Sequence, residues 1–447
     1  MCRDTLRGAV LAAAVVLARA GDLQAAGFAL KEQSPSAQGN AFAGATAGGD
    51  ELSLMFFNPA ALGGINKVQL QAVATAVAPR AELNDASGST VIPTTIGGTG
   101  HNSDIATDAV LPAFYAAMPL PGRVTLGLAV NVPFGLETNY PDGWVGRYHA
   151  VKSDLKTINI NPAFAWRATD WLSLGGGFQA QYADGTLTNA IDFGTIGAAA
   201  GVPGAAPAQQ DGFSRLHGDD WAYGWNAGLI VEPLAGTRVG VAYRSEIKHT
   251  LRGEVDFTGD DDGIANILRR STGAFTDSNA SLGLTTPASL SIGLHQDVTP
   301  KLALLAEAQW TDWSVFDQLT VKFDNPNQPD NVTEEEWHDA WFFALGTTYK
   351  ATDDLTLRAG VALDQSPVKD KYRTPRVPDE NRYWLSVGAG WKPAAWLDLD
   401  AALTYIWLED SDVDLTTADQ GNTFRGNLQA DYQSDIVLVG LSARVRF

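Results

Sequence analysis

From about residue 67 onward the chain repeats one pattern, runs of about ten to fifteen residues in which apolar side chains alternate with small or polar ones. A period of two puts the two sets on opposite faces of a β-strand. No stretch after residue 26 stays apolar for the ~18 residues that a membrane helix needs, so strands are the candidate spanning elements. In the final run, "IVLVGLSARVRF", one face carries Val437, Val439, Leu441, Ala443, Val445 and Phe447, and the other carries Gly440, Ser442, Arg444 and Arg446. An aliphatic row opposite two arginines suits a lipid face and a polar lumen. The run "VTLGLAVNVPFGLET" alternates through Val124, Leu126, Leu128, Val130 and Val132 and is then broken. Proline has no N–H for a ladder and glycine weakens one, so Pro133, Phe134 and Gly135 predict an interruption of pairing in mid-strand.

The connections between runs can be counted. Tight turns are expected at "LPGR" near 121, "ATDW" near 169, "PLAGT" near 235, "DVTPK" near 299, "KATDDL" near 352 and "WKPAAW" near 394. Longer polar stretches lie at about 80–107, 139–152, 190–217, 258–283, 324–335, 368–380 and 411–431. Six turns and seven loops make thirteen connections and hence fourteen strands, with the short–long alternation of an outer-membrane barrel. The expected fold is therefore all-β, a transmembrane antiparallel β-barrel over residues 67–447. The thirteen tryptophans fall near strand ends, which suits two membrane interfaces.

The first 66 residues do not alternate. Arg3 and Arg7 precede the apolar run "GAVLAAAVVLA", and "LQAAG" closes it with small residues, which predicts a secretory signal over residues 1–25 with cleavage near Ala25 or Ala26. Residues 26–66 combine small-residue helical pieces, glycine pairs and the apolar patch Leu54, Met55, Phe56 and Phe57. Irregular backbone at membrane depth has to be buried in protein or line a wet cavity, so this segment is expected inside the barrel as a hatch.

Composition narrows the function. The formal charge of −20 falls by one more when the signal's three arginines and two aspartates are removed, which argues against a nucleic-acid partner. Cys2 is the only cysteine and precedes the apolar run, so neither a disulfide nor a lipid attachment is expected in the mature chain. The acidic stretches "TGDDDG", "DNPNQPDNVTEEEWHD" and "LEDSDVDLTTADQ" read as solvated loops without the full spacing of a calcium loop. His101, His149, His217, His249, His295 and His338 are scattered, with no local pairing of nucleophile and base. No enzyme, cofactor or metal site is expected.

Specific segments carry a resemblance. "AGFAL" from Ala26, "FFNPAAL" from Phe56, "YGWNAGLI" from Tyr223, "YRSEIK" from Tyr243, "ALGTTYKATDDLTLRAGVALDQSPV" from Ala344 and "VPDENRYWLSVGAGW" from Val377 resemble the FadL/TodX (OmpP1) family. These are outer-membrane transporters of long-chain fatty acids and other hydrophobic compounds in Gram-negative bacteria. The resemblance spans nearly the whole mature chain and implies a fourteen-stranded barrel plugged by an N-terminal hatch. It also implies passive capture at the outer loops, transfer to a lumen site beside the hatch, and sideways release into outer-membrane lipid. On this chain it puts Phe28, Phe56 and Phe57 in the ligand site and Asn58-Pro59-Ala60 in the hatch. The family's kinked third strand, its lateral opening, falls on Pro133, Phe134 and Gly135.

The basic residues that the family sets near a ligand carboxylate fall here on Asn189 and Thr333, neither of which is charged. Arg244 and Lys248, or Arg147, are candidate substitutes, although a charge facing a polar lumen needs no ligand to explain it. Burying a sixteen-carbon tail at ~0.8 kcal/mol per methylene is worth ~12 kcal/mol before ordering costs, against ~1.5–3 kcal/mol for a charge-assisted hydrogen bond. The tail dominates affinity, so neutral aromatic or aliphatic hydrocarbons stay open as alternative substrates, with a general porin further off. The terminal Phe447 resembles the signal read by the barrel-assembly machinery, and a monomer is expected.

Overall fold

The alternating runs pair with their chain neighbours as antiparallel ladders, each strand turning one set of side chains outward and the other inward. The structure is a computed structural model that describes residues 27–259 and 263–447; the expected signal segment lies outside the described residues. Among the described residues, twenty sheet segments assemble into fourteen strands. They are β1 (Gln69–Ser89), β2 (Ala109–Leu120), β3 (Val124–Asn131 and Gly135–Asn139), β4 (Lys152–Arg167), β5 (Leu172–Asp192), β6 (Asp211–Leu234) and β7 (Thr237–Arg244 and Ile247–Thr258). Then follow β8 (Ser278–Thr286 and Ser289–Asp297), β9 (Leu302–Thr311 and Gln318–Phe323), β10 (Asn331–Glu334 and Ala340–Lys350), β11 (Leu355–Asp364), β12 (Arg382–Ala394), β13 (Leu397–Leu408 and Ser411–Leu415) and β14 (Asn427–Arg446). β1 pairs with β14 from Gln69 opposite Arg446 to Ser89 opposite Asn427, which closes the sheet and leaves no edge. The thirteen connections fall at the turn and loop positions expected from the sequence.

Closure explains the C-terminal pattern. Val439 and Leu441 face outward, while Arg444 is buried inward and ion-paired to Asp398 and Glu51. The tryptophans divide rather than forming a pure interfacial belt: Trp166, Trp171, Trp221, Trp225, Trp341, Trp391, Trp396 and Trp407 are exposed, but Trp144, Trp313, Trp337 and Trp384 are buried. Strand-end position therefore did not decide burial, because the same positions also carry side chains into the lumen.

Six strands are divided into two pieces. On β3 the break at residues 132–134 stands about ten residues above the turn at Arg123, and on β8 Pro287 stands the same number above Asp297. Ten residues at ~3.3 Å each, tilted by about 40°, rise ~25 Å, the height of a barrel's apolar band. The breaks thus lie at the outer boundary of the band, where a ladder can be interrupted without exposing backbone in mid-bilayer.

Residues 27–68 contribute no barrel strand and fill the lumen at this level. They run through a single helical turn (Pro35–Gln38) and two 3-10 turns (Leu52–Phe56 and Pro59–Gly64). They touch all fourteen strands, from Thr75 on β1, whose hydroxyl donates to the Glu32 carbonyl, to β14, where Gln38 donates to the Leu438 carbonyl. Inward glycines admit this close approach. A methyl group on Gly175 would overlap the backbone of Pro59 and Ala60, and one on its ladder partner Gly228 would overlap the Asn58 side chain.

Candidate functional site

Asn58, Pro59 and Ala60 anchor the N-terminal segment to the wall. The Asn58 side chain caps the following 3-10 turn by accepting from the Ala60 N–H at 3.0 Å, and Pro59 takes the first position, where its missing N–H costs nothing. Its amide donates to the Thr46 carbonyl at 2.8 Å and to the Leu229 carbonyl of β6 at 3.1 Å. The residue is fully buried, so each of these bonds replaces a lost water.

That anchorage leaves a cavity between the segment and the long-loop side of the barrel. Phe56, Phe57, Pro133, Phe134 and Arg244 line it together with Lys31, Pro287 and Trp313. Phe28 lies beside it in an aromatic cage, 4.7 Å from Trp313, 5.5 Å from Phe316, 5.8 Å from Trp337 and 6.0 Å from Phe134, ring centre to ring centre. Leu251, Val255, Phe257, Leu282 and Leu284 extend the same apolar cluster toward the outer loops. The cage follows from the breaks: residues 312–317 of β9 and 335–339 of β10 leave the ladder and carry Trp313, Phe316 and Trp337 inward. Below the segment the lumen changes character, with a chamber lined by Arg238, Arg358, Arg444, Glu51, Asp398 and Asp400.

At the β3 break the wall is completed by the N-terminal segment. The second piece of β3 has no ladder to β2, which pairs with β3 only from Phe114 to Leu120. Instead the Leu30 N–H donates to the Pro133 carbonyl at 2.8 Å and the Gly135 N–H donates to the Phe28 carbonyl at 2.9 Å, so that Ala29 forms an antiparallel bridge with Phe134. The Gln33 amide brackets Val132, donating to its carbonyl at 2.7 Å and accepting from its N–H at 3.4 Å. The Thr157 hydroxyl of β4 serves Phe134 in the same way, at 3.0 and 2.7 Å. Every backbone donor and acceptor of Val132, Pro133 and Phe134 thereby finds a partner. Glu32, in the middle of this stitch, is buried, and burial pushes its carboxyl up to about 7.

The expected basic residues are placed differently. Arg244 faces the lumen, yet its guanidinium is occupied: it donates to the Phe56 carbonyl at 2.7 Å and to Gln179, and lies 4.6 Å over the Phe56 ring. Lys248 is not brought to the cavity. Its side chain is 72% exposed and pairs with Glu246. Strict alternation would put residues 244 and 248 on one face; the break at Ser245 and Glu246 shifts the register by one, so Ile247 and His249 point inward instead. Arg147 belongs to an outer loop and is paired with Asp211 at 2.7 Å. Sequence reading missed Gln33, Thr157 and the cage tryptophans, whose roles depend on partners about 25 to 300 residues away.

Comparison with known proteins agrees with this geometry. Residues 16–447 match the family model described as outer membrane protein transport protein (OMPP1/FadL/TodX). A long-chain fatty acid transport protein of Escherichia coli is 31% identical over 87% of this chain and 85% of its own length. A 47 kDa outer membrane protein of Pasteurella multocida is 29% identical, with 98% of both chains covered. Among solved structures, a FadL homologue of Pseudomonas aeruginosa superposes with a TM-score of 0.86 at 27% identity, over 94% of this chain and all of the other. The toluene transporter TodX of Pseudomonas putida shares the fold, with a TM-score of 0.68 at 17% identity over 94% of this chain and 99% of its own.

Proposed function

The chain belongs to the OMPP1/FadL/TodX family of outer-membrane transport proteins, and from that premise we propose that it takes up long-chain fatty acids or related hydrophobic molecules across the outer membrane. Ligand enters between the outer loops, where helices α1 (Phe193–Ala199) and α2 (Ile264–Thr272) bury Phe193, Ile264 and Leu268 against each other. It moves into the cavity beside the Phe28 cage, held over the N-terminal segment, which acts as the hatch. It leaves sideways through the β3 break when residues 28–33 release it.

The observation that carries this reading is the division of the lumen. Above the hatch the cavity is lined mostly by apolar and aromatic side chains, with Lys31, Arg244 and Asp364 its charged members, and touches Pro133 and Phe134; below it the walls carry many more charges. A hydrophobic molecule gains about 25 cal/mol for each Å² it keeps from water, so the lipid beyond β3 attracts it and the charged chamber does not. Relatives at about 30% identity named for long-chain fatty acid transport favour an acid over the neutral hydrocarbons of the more distant toluene transporters. Deletion of the gene should abolish growth on long-chain fatty acids while growth on sugars persists. Unchanged uptake of every hydrophobic tracer, with loss of a polar one, would instead identify a porin.

A further inference from the structure

Every ladder of the described barrel but one joins strands that follow each other in the chain. The exception is the seam, where β1 meets β14 and Gln71 stands opposite Arg444. This pairing cannot start from a hairpin, and its two edges meet late because the chain between them is long. At the seam the hatch reaches both strands. On the β1 side, the Ser53 N–H donates to the Gln71 side-chain oxygen at 3.0 Å, and the Gln71 amide donates to Glu51 at 2.8 Å. On the β14 side, the Arg444 guanidinium pairs with Glu51 at 3.4 Å and donates to the Asp50 carbonyl, and Arg446 pairs with the Asp50 carboxylate at 3.9 Å. Gln71 completes the crossing by donating to the Ser442 hydroxyl of β14 at 3.3 Å. Gln71, Glu51 and Arg444 are all buried, so each needs these partners in place of water.

Sequence separation orders these contacts. Glu51 lies 20 residues from Gln71, whereas Asp50 lies 394 residues from Arg444. The hatch can therefore settle on β1 before β14 arrives. Leu52 and Met55 strengthen that local unit, packing with Val73 of β1 and with Ala113 and Tyr115 of β2. Charge then favours capture of the last strand. Among the residues lining the chamber below the hatch, the wall contributes seven Lys and Arg against four Asp and Glu, and the hatch contributes Asp50 and Glu51 with no cation. The wall alone carries an excess of positive charge, and the hatch carboxylates offset it where Arg444 stands. The first half of the hatch reaches the same end of the sheet, since the Gln38 amide donates to the Thr404 hydroxyl of β13 at 3.3 Å and to the Leu438 carbonyl of β14 at 3.4 Å.

We propose that the hatch closes the barrel as well as plugging it: docked on β1, it presents Asp50 and Glu51 to Arg444 and Arg446 of β14 and so sets the register of the β1–β14 seam. The proposal is independent of what the barrel carries. Cys2 lies in the expected signal, so engineered cysteines are the only thiols of the mature chain and can report the register. Ala74 and Leu441 are outward-facing register partners, and Val439 and Ala443 are the outward positions on either side of Leu441. Refolding of the urea-denatured mature chain into detergent micelles, at about pH 8 where free carboxylates are ionised, is followed by heat-modifiable mobility. D50N/E51Q should close about tenfold more slowly than the wild type, the scale of one charge-assisted bond formed at the transition state. In that background A74C should cross-link to V439C or A443C as well as to L441C, whereas the wild-type background gives L441C alone. R358Q/D400N, which removes a 2.8 Å ion pair within the wall of the same chamber, should close at the wild-type rate and in a single register. If D50N/E51Q does not close at all, an A74C–L441C disulfide formed before refolding should restore closure. Wild-type kinetics with a single register in D50N/E51Q would overturn the proposal. So would equal slowing in R358Q/D400N, or a failure to close that the preformed disulfide does not repair.

Discussion

The barrel wall is interrupted on two sides at the same height, and the two interruptions are sealed by different chemistry. At β3 the seal is backbone and amide: Leu30, Phe28 and Gln33 supply hydrogen bonds from the hatch to Val132, Pro133 and Gly135. Between β8 and β9 the ladder stops for residues 283–288, crossed only by the Asp312 N–H donating to the Ala288 carbonyl, and the space is filled by Trp313 and Phe316. Hydrogen bonds to a separate segment break together when that segment moves. Aromatic side chains grown from the wall stay with the wall. The first construction suits a gate and the second a fixed lining, although both arise from the same device, a proline in a strand at the edge of the apolar band.

Straightening each break gives the sharpest contrast. Replacing Pro133 and Gly135 with Val and Thr should restore pairing to β2 and lower uptake of a labelled fatty acid by about a hundredfold, with the barrel still assembled as judged by heat-modifiable mobility. The change Pro287→Val should leave uptake near the wild-type rate. If the β3 variant transports normally, the exit is elsewhere, and if only the β8 variant fails, the two sides have been assigned the wrong way round.

Truncating the cage comes next. Trp313→Ala removes a buried ring that packs on Phe28, Phe134 and Trp337 and should cost ~3–5 kcal/mol of stability. Ligand affinity should fall with it, while ion conductance through the closed barrel should not rise, because the hatch still holds β3. A large leak in this variant would mean that the aromatic seal is also a gate.

Much of this frame was legible in the sequence, for physical reasons that also explain the failures. Turn chemistry is local, so "LPGR" and "DVTPK" located β2–β3 and β8–β9 without knowledge of partners. Alternation fixed the faces of β14 down to Arg444, because its ladder to β1 keeps one register from Leu83 opposite Tyr432 to Gln69 opposite Arg446. It failed at Arg244 and Lys248, where one extra residue in the strand turned the second side chain outward. Pro133 announced a break but not what seals it: Gln33 lies 99 residues from Val132, which it holds, in a segment whose legible features were small and apolar residues.

A smaller effect separates the amide stitch from the hatch as a whole. Gln33→Ala leaves the Val132 N–H and carbonyl without partners, at a cost of ~1–3 kcal/mol, while Asn58 still holds the hatch to β6. Single-channel recordings should show brief openings absent from the wild type, and uptake should be unchanged or faster. A variant as quiet as the wild type would show that the two bonds between Leu30, Phe28 and β3 suffice.

The smallest expected effect is one of pH, and its sign follows from Glu32. The carboxyl is buried, one of its oxygens lacks a partner, and burial pushes it up to about 7 against the pull of Arg382 and Lys31, with Asp364 adding to the upward shift. In a released hatch the same group would titrate near 4.5. The docked hatch therefore holds its proton more tightly than the released one, and proton loss opposes docking. Below about pH 5 the docked form receives its full advantage. That advantage shrinks as the pH rises and is gone above about 7, where both forms are ionised and the buried charge is an added cost. The frequency of brief openings should accordingly rise between about pH 5 and 7 in the wild type and level off above it, and become flat throughout in Glu32→Gln, which keeps the shape and removes the charge. Equal pH dependence in both proteins would place the responsible group elsewhere in the lumen and leave the β3 stitch governed by its hydrogen bonds alone.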